Sequence, residues 1–271
     1  MINLFKGVKV FLDGVPSLEH RVVVSSGIDT LSENIDSKFP FEVDALVPKL
    51  PWRTLCSQNE NTLYCNEKPK LIDYDKTVQV INVPDDIIEL CKANKIQDLI
   101  RKEDILAFYE TNIYKELKNK LFSFYENYLF SETNFKYYNM FADDPGRPTV
   151  TITYNKRRCG LHIDNRQTFS IDKLHSAPNG ILVNLGKEPR YFLFVNQTCE
   201  QLQMLMSPNR YDSVDRIHQD FAKKFKDYPV VRLKLNPFEG YIAPTENIIH
   251  DGSTSGCTFP SLKAFAEGYF W

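Results

Sequence analysis

The sequence predicts an α+β fold, mainly β, in which a double-sheeted core is buttressed by N-terminal helices. Three observations carry that expectation. Aromatic residues make up 13% of the 271 residues, with 19 Phe and 14 Tyr against only 11 Gly, which favours a well-filled β-rich core over a glycine-rich nucleotide-binding fold. One apolar stripe, Leu106, Tyr109, Ile113, Leu117, Leu121, Tyr125 and Leu129, recurs at spacings of three or four. From Pro148 onward the texture changes to β-branched and aromatic runs divided by turn residues.

Residues 1–83 read as short strands and loops, with β-branched runs at 8–12 and 21–24 broken by Gly14, Pro16 and Gly27, and with Pro40, Pro48, Pro51 and Pro69 punctuating the rest. Residues 84–147 read as helical support. Pro84 opens a helix, Asp85 and Asp86 offer an N-cap, and Glu89 follows Asp86 by three as in a capping box. One long helix is expected over 103–129, its apolar stripe a scaffold packed on a sheet. Residues 148–271 read as the core, with strands at 149–154, 180–186, 191–195, 230–235, 241–243 and 262–270, and a polar helix over 212–226. The link Lys187-Glu188-Pro189-Arg190 is of hairpin length. No linker separates these parts, so 1–271 reads as a single domain.

Composition excludes several function classes. Lys and Arg total 33 against 35 Asp and Glu, a net charge of −2, which argues against a nucleic-acid partner. No apolar run approaches the ~18 residues of a membrane span, and the start lacks a signal-peptide layout. Six cysteines are too sparse for a disulfide scaffold. The expectation is a soluble, cytoplasmic, reduced protein with neither nucleic-acid nor membrane partner; the oligomeric state stays open. Phosphate-binding glycine motifs, a GxSxG elbow and internal repeats are all missing from the sequence.

Chemistry concentrates around His162-Ile163-Asp164, which follows a predicted strand. In extended chain residues i and i+2 share a face, so both side chains can reach one metal ion. A third ligand from a distant strand completes a facial two-His, one-carboxylate set with open positions, the layout of non-haem Fe(II) oxygenases. A second HxD, His218-Gln219-Asp220, falls in a helical pattern where i and i+2 diverge, so His218 reads as a solvated helix residue. Cys159 and His162, three apart on a strand, are expected on opposite faces, and no second cysteine pair follows to make a zinc site. His175 reads as a loop residue at the cleft mouth and His20 as surface. Arg157, Arg158 and Arg166 flank the HxD, either to receive an anionic group or as solvated surface charges. His250, after Tyr241–Ile249 and before an Asp251-Gly252 turn, is the candidate third ligand.

From Arg158 onward this pattern resembles the Fe(II)/2-oxoglutarate-dependent oxygenases, a superfamily built on a double-stranded β-helix (jelly-roll or cupin-like). The resemblance covers roughly residues 148–270. It implies that His162, Asp164 and His250 ligate Fe(II). It further implies that 2-oxoglutarate and O2 are co-substrates, and that a small molecule such as an amino acid or natural-product intermediate is oxidised with release of succinate and CO2. Halogenating relatives replace the carboxylate ligand with Gly or Ala, so Asp164 implies hydroxylation or desaturation instead.

Most members carry an Arg about ten residues past the last His to pair with the 2-oxoglutarate 5-carboxylate. Residues 251–262 contain none, and the first basic residue there is Lys263. Some branches, the JmjC-like ones among them, place the cation on the strand after the first hairpin, which points to Arg190. By alternation Arg190 shares a face with Phe192 and Phe194, expected to point into the barrel, and its planar fork suits a carboxylate. Arg190 is therefore the preferred anchor and Lys263 the alternative, with Ser253, Thr254 or Thr258 as hydroxyl helpers. The rival reading is a cupin-like jelly roll that binds a metal or ligand without oxygenase activity.

Overall fold

The structure is a computed structural model that describes residues 3–14, 20–31, 39–68, 70–130, 134–164 and 166–271. The N-terminal strands are β1 (Lys9–Leu12), β2 (Val22–Val24), β3 (Ile28–Thr30), β4 (Phe41–Pro48) and β5 (Arg53–Thr54). Helix α1 (Ser57–Leu63) leads into β6 (Tyr64–Cys65) and β7 (Thr77–Asn82). Helices α2 (Asp85–Ala93), α3 (Lys102–Tyr109) and α4 (Asn112–Glu126) precede β8 (Lys136–Asp143) and β9 (Arg158–Gly160). The remainder is β10 (Asn179–Asn184), β11 (Arg190–Thr198), α5 (Cys199–Leu205), α6 (Ile217–Lys224), β12 (Val231–Leu235), β13 (Glu239–Ala243), β14 (Ile248–Ser253) and β15 (Ser261–Gly268).

Among the described residues these strands form three sheets. A seven-stranded sheet runs β6-β1-β7-β13-β10-β15-β8, a five-stranded sheet β14-β11-β12-β2-β5, and a small sheet β3-β4-β9. Alternation along the strands builds two cores. Leu182, Tyr241 and Phe265 of the large sheet meet Phe192, Phe194 and Leu233 of the second. Ile181, Val183, Ile242 and Ala264, one residue out of phase, pack on Ile87, Leu117, Leu121 and Tyr125 of α2 and α4. Each large apolar side chain so buried contributes about 1.5–3 kcal/mol.

The protein is thus mixed α+β and mostly β, with helices buttressing one sheet, but the sheets remain separate layers and no barrel closes. The long helix expected over 103–129 is two helices, because Thr111 breaks the run by accepting a hydrogen bond from the Tyr114 N–H at 3.1 Å and capping α4. Asp85 and Asp86 lie in the first turn of α2, where their charge opposes the helix dipole; Pro84 is its N-cap and no side chain caps it. The segment 149–154 forms no strand, only an isolated bridge from Ile152 to Arg158. The hairpin expected between β10 and β11 is a crossing between sheets: Asn184 turns that corner, accepting from Gly186 N–H and donating to Glu188 O and Leu235 O. The helix expected over 212–226 is confined to α6. Strand β8, inside the stretch read as purely helical, belongs to the core sheet. No helix among the described residues is long and apolar enough to cross a membrane.

Candidate metal centre

Gly160 ends β9 with φ +73°, a left-handed conformation, and a Cβ there would lie 2.4 Å from the Leu46 carbonyl oxygen, so only glycine fits. Past that kink the chain runs extended beside β14. His162 N–H donates to His250 O (3.0 Å), His250 N–H donates to His162 O (2.7 Å), and Asp164 N–H donates to Thr245 O (3.1 Å). Leu161 and Ile163 are buried in the core, so His162 and Asp164 are presented on the opposite face.

That face looks into a cavity of about 360 Å³ between the two large sheets. His162 Nε2 lies 3.5 Å from Asp164 Oδ1, and His250 Nε2 lies 3.7 Å from Asp164 Oδ2. Candidate ligand atoms of the three residues all lie within 4.8 Å of one another. Behind them, His162 Nδ1 is 2.8 Å from Gly160 O and His250 Nδ1 is 3.2 Å from Ile248 O. A carbonyl only accepts, so both Nδ1 atoms carry a proton, and Nε2 of each ring is turned to the carboxylate. Such backing hydrogen bonds orient metal-binding histidines.

The electrostatics fit a cation. Burial alone would raise the Asp164 carboxyl, but His162, His250 and Arg166 outweigh it and hold Asp164 well below the usual carboxylate range. Burial lowers His250 to about 4 and keeps it neutral. It also works against a charge on His162, yet adjacent Cys159, Asp164 and Asp251 overcome it and raise that pKa well above the ordinary value. The spot thus favours positive charge, which a divalent ion supplies. Two imidazole nitrogens, that of His162 after the ion displaces its proton, and one carboxylate suit Fe(II).

Both sequence-predicted anchors line the same cavity. Arg190 is 1% exposed and Lys263 7%, so neither is a solvated turn or strand cation. Arg190 shares its face with Phe192, as alternation predicts; the Phe192 ring packs 4.2 Å from Tyr241 and 5.8 Å from His250, centroid to centroid. The two cations share one partner that sequence reasoning missed: Asp143 Oδ2 lies 2.6 Å from Lys263 Nζ and 3.2 Å from Arg190 Nη2. Burial lowers the Lys263 ammonium to about 8 although Asp143 opposes the shift. Two cations against one carboxylate leave a positive excess at this end.

Other expectations are corrected. Thr254 does not line the cavity; its hydroxyl donates to Asp144 O (2.7 Å) and accepts from Arg147 N–H (3.0 Å). Ser253 donates to Arg147 O and Thr258 to Glu188. Cys159 and His162 do not face apart: the Gly160 kink breaks strand alternation and brings Sγ within 3.3 Å of Nδ1. His175 is exposed on a short turn outside the cavity lining, and His218 is half-buried on α6 with Nδ1 3.4 Å from Val214 O. Arg157 donates to Phe41 O, and Arg158 is buried and paired with Asp144. Arg166 pairs with Asp164 (3.2 Å) and Glu267 (2.7 Å) at the cavity wall. Tyr241, whose phenol burial keeps protonated, also lines the cavity; its place in an apolar strand gave no sign of this. No protein-family model, curated protein or solved structure matches the chain.

Proposed function

We propose that this protein is a non-haem Fe(II)- and 2-oxoglutarate-dependent oxygenase that hydroxylates a small molecule and releases succinate and CO2. The observation that carries the reading is the convergence of two Nε2 atoms, from His162 and His250, on the Asp164 carboxylate inside a cavity that also holds Arg190 and Lys263. Strand order supports the double-stranded β-helix. Counting β8, the β9–His162 segment and β10 to β15 as one to eight, the sheets contain the orders 1-8-3-6 and 2-7-4-5, with the His162–His250 bridge joining two to seven. That interleaving is the one a jelly roll of two Greek keys produces.

In this reading His162, Asp164 and His250 hold Fe(II), which supplies the redox chemistry coupling 2-oxoglutarate decarboxylation to substrate oxidation. Arg190 and Lys263 bind the distal carboxylate of 2-oxoglutarate, and the Tyr241 hydroxyl is a neutral donor in the same cavity. Arg166, bonded to Asp164, steadies the carboxylate ligand. The apolar surround of Phe192, Leu182 and Phe265 excludes water from the reacting groups.

The test is release of succinate from 2-oxoglutarate with Fe(II), ascorbate and O2, abolished by chelation and restored by Fe(II). One observation favours the rival, a cupin-like metal- or ligand-binding jelly roll: Asp143 already neutralises part of the cationic end. Protein that retains zinc and releases no succinate, even uncoupled, would move the assignment there.

A further inference from the structure

The His162 ring has a second face of chemistry. Behind Nδ1, Cys159 Sγ lies at 3.3 Å and Asp251 Oδ2 at 4.0 Å. Asp251 is fully buried, and its two oxygens are treated unequally. Oδ1 accepts from Thr151 N–H (3.2 Å), Thr151 Oγ (2.8 Å) and Gly252 N–H (2.6 Å), whereas Oδ2 has no hydrogen-bond partner. A buried carboxylate oxygen left unpaired is costly and calls for a cation or a donor. Candidate ligand atoms of Cys159, His162 and Asp251 all lie within 4.8 Å of one another.

We propose that Cys159 Sγ, His162 Nδ1 and Asp251 Oδ2 form a second divalent-metal site, suited to a thiophilic ion such as Zn2+, that competes with the first site for the His162 ring. Zinc bonds of about 2.3 Å to sulfur and about 2.0 Å to nitrogen put those two ligands about 3.5 Å apart on a tetrahedral ion. The observed 3.3 Å nearly meets that, and the carboxylate has only to close in slightly. Water completes the coordination, reached from the half-buried thiol side. On binding, the thiol proton and the Nδ1 proton, now held toward Gly160 O, leave to solvent, and the ring proton that remains sits on Nε2. A neutral imidazole has one ring lone pair. Metal on Nδ1 therefore leaves Nε2 protonated, with no lone pair for an ion held with Asp164 and His250, and a soft ion antagonises the first site. The antagonism rests on the reading of that first site; the second site does not.

The experiment is an anaerobic Co2+ titration of the metal-free chain, followed in the near ultraviolet for sulfur-to-cobalt charge transfer. The expected result is a band saturating at one equivalent, lost in Cys159→Ser and Cys159→Ala, weakened in Asp251→Asn, and kept in Asp164→Ala and in Cys56→Ser. Circular dichroism checks that each variant is folded. Absence of the band in the parent protein, or its survival in folded Cys159→Ser, overturns the second site. Weak d–d absorption alone, lost in Asp164→Ala, would leave the first site standing without the second. In the active protein, Zn2+ needed to halve succinate release should rise at least about tenfold in Cys159→Ser; equal zinc sensitivity would overturn the antagonism.

Discussion

The rings of His162 and His250 face each other with centroids 4.8 Å apart, across reciprocal backbone hydrogen bonds that tie their residues into one antiparallel bridge. Two candidate ligands from distant parts of the chain are thereby held together by main-chain geometry. Rigid strand positions of this kind hold ligands more precisely than loops do.

Replacing His162, Asp164 or His250 with Ala should lower succinate release by at least about a hundredfold, since losing even an outer-shell partner of a metal ligand costs 10- to 100-fold. The thermal transition should survive, because the backbone bridge needs none of these side chains. His218→Ala should leave turnover in place. Full activity in any of the three ligand variants would sink the assignment.

Arg190→Ala and Lys263→Ala should each raise KM for 2-oxoglutarate while iron binding persists, since both cations line the cavity. Asp143→Asn should do the reverse. It leaves two buried cations without their carboxylate, costing roughly 3–5 kcal/mol of stability. It also makes the protein gain more in melting temperature from added 2-oxoglutarate than the parent does. A variant whose melting point responds no more to 2-oxoglutarate than the parent's would show that Asp143 does not compete for the cations.

Gly252 guards the Arg190 guanidinium. A Cβ at this position would lie 2.7 Å from Arg190 Nη2 and 2.8 Å from Val150 Cγ2. Gly252→Ala should therefore displace Arg190 and raise KM for 2-oxoglutarate without loss of bound iron. An unchanged KM, measured by initial rates, would mean that the arginine does not bind the co-substrate.

Glu246 supplies a pH test. Burial, with help from Asp164 and Glu267, raises its carboxyl from the ordinary 4.5 to about 7. Between those values the folded protein holds a proton that the unfolded chain has lost, so this group's contribution to stability falls as pH rises through the window. Glu246→Gln should melt at least about 2 °C above the parent at pH 8 and level with it at pH 4.5. An equal difference at both pH values would point to packing instead of ionisation.

Local pattern alone determines part of this protein. Period-two alternation puts His162 with Asp164 and Arg190 with Phe192, because neighbouring side chains in extended backbone must point apart. The apolar stripe through Leu117, Leu121 and Tyr125 marks the helix face that packs on the large sheet. The tertiary structure decided the rest. Thr111 competed for backbone hydrogen bonds and split the long stripe, and Asn184 turned the β10–β11 link across sheets. Gly160 swung Cys159 against His162, and strand pairing brought Asp143 onto both Arg190 and Lys263. Each of these depends on one side chain's hydrogen bonds, on pairing register or on one residue in left-handed backbone. Side-chain periodicity averages over several residues, so it does not register a single kink or a contact made from another strand.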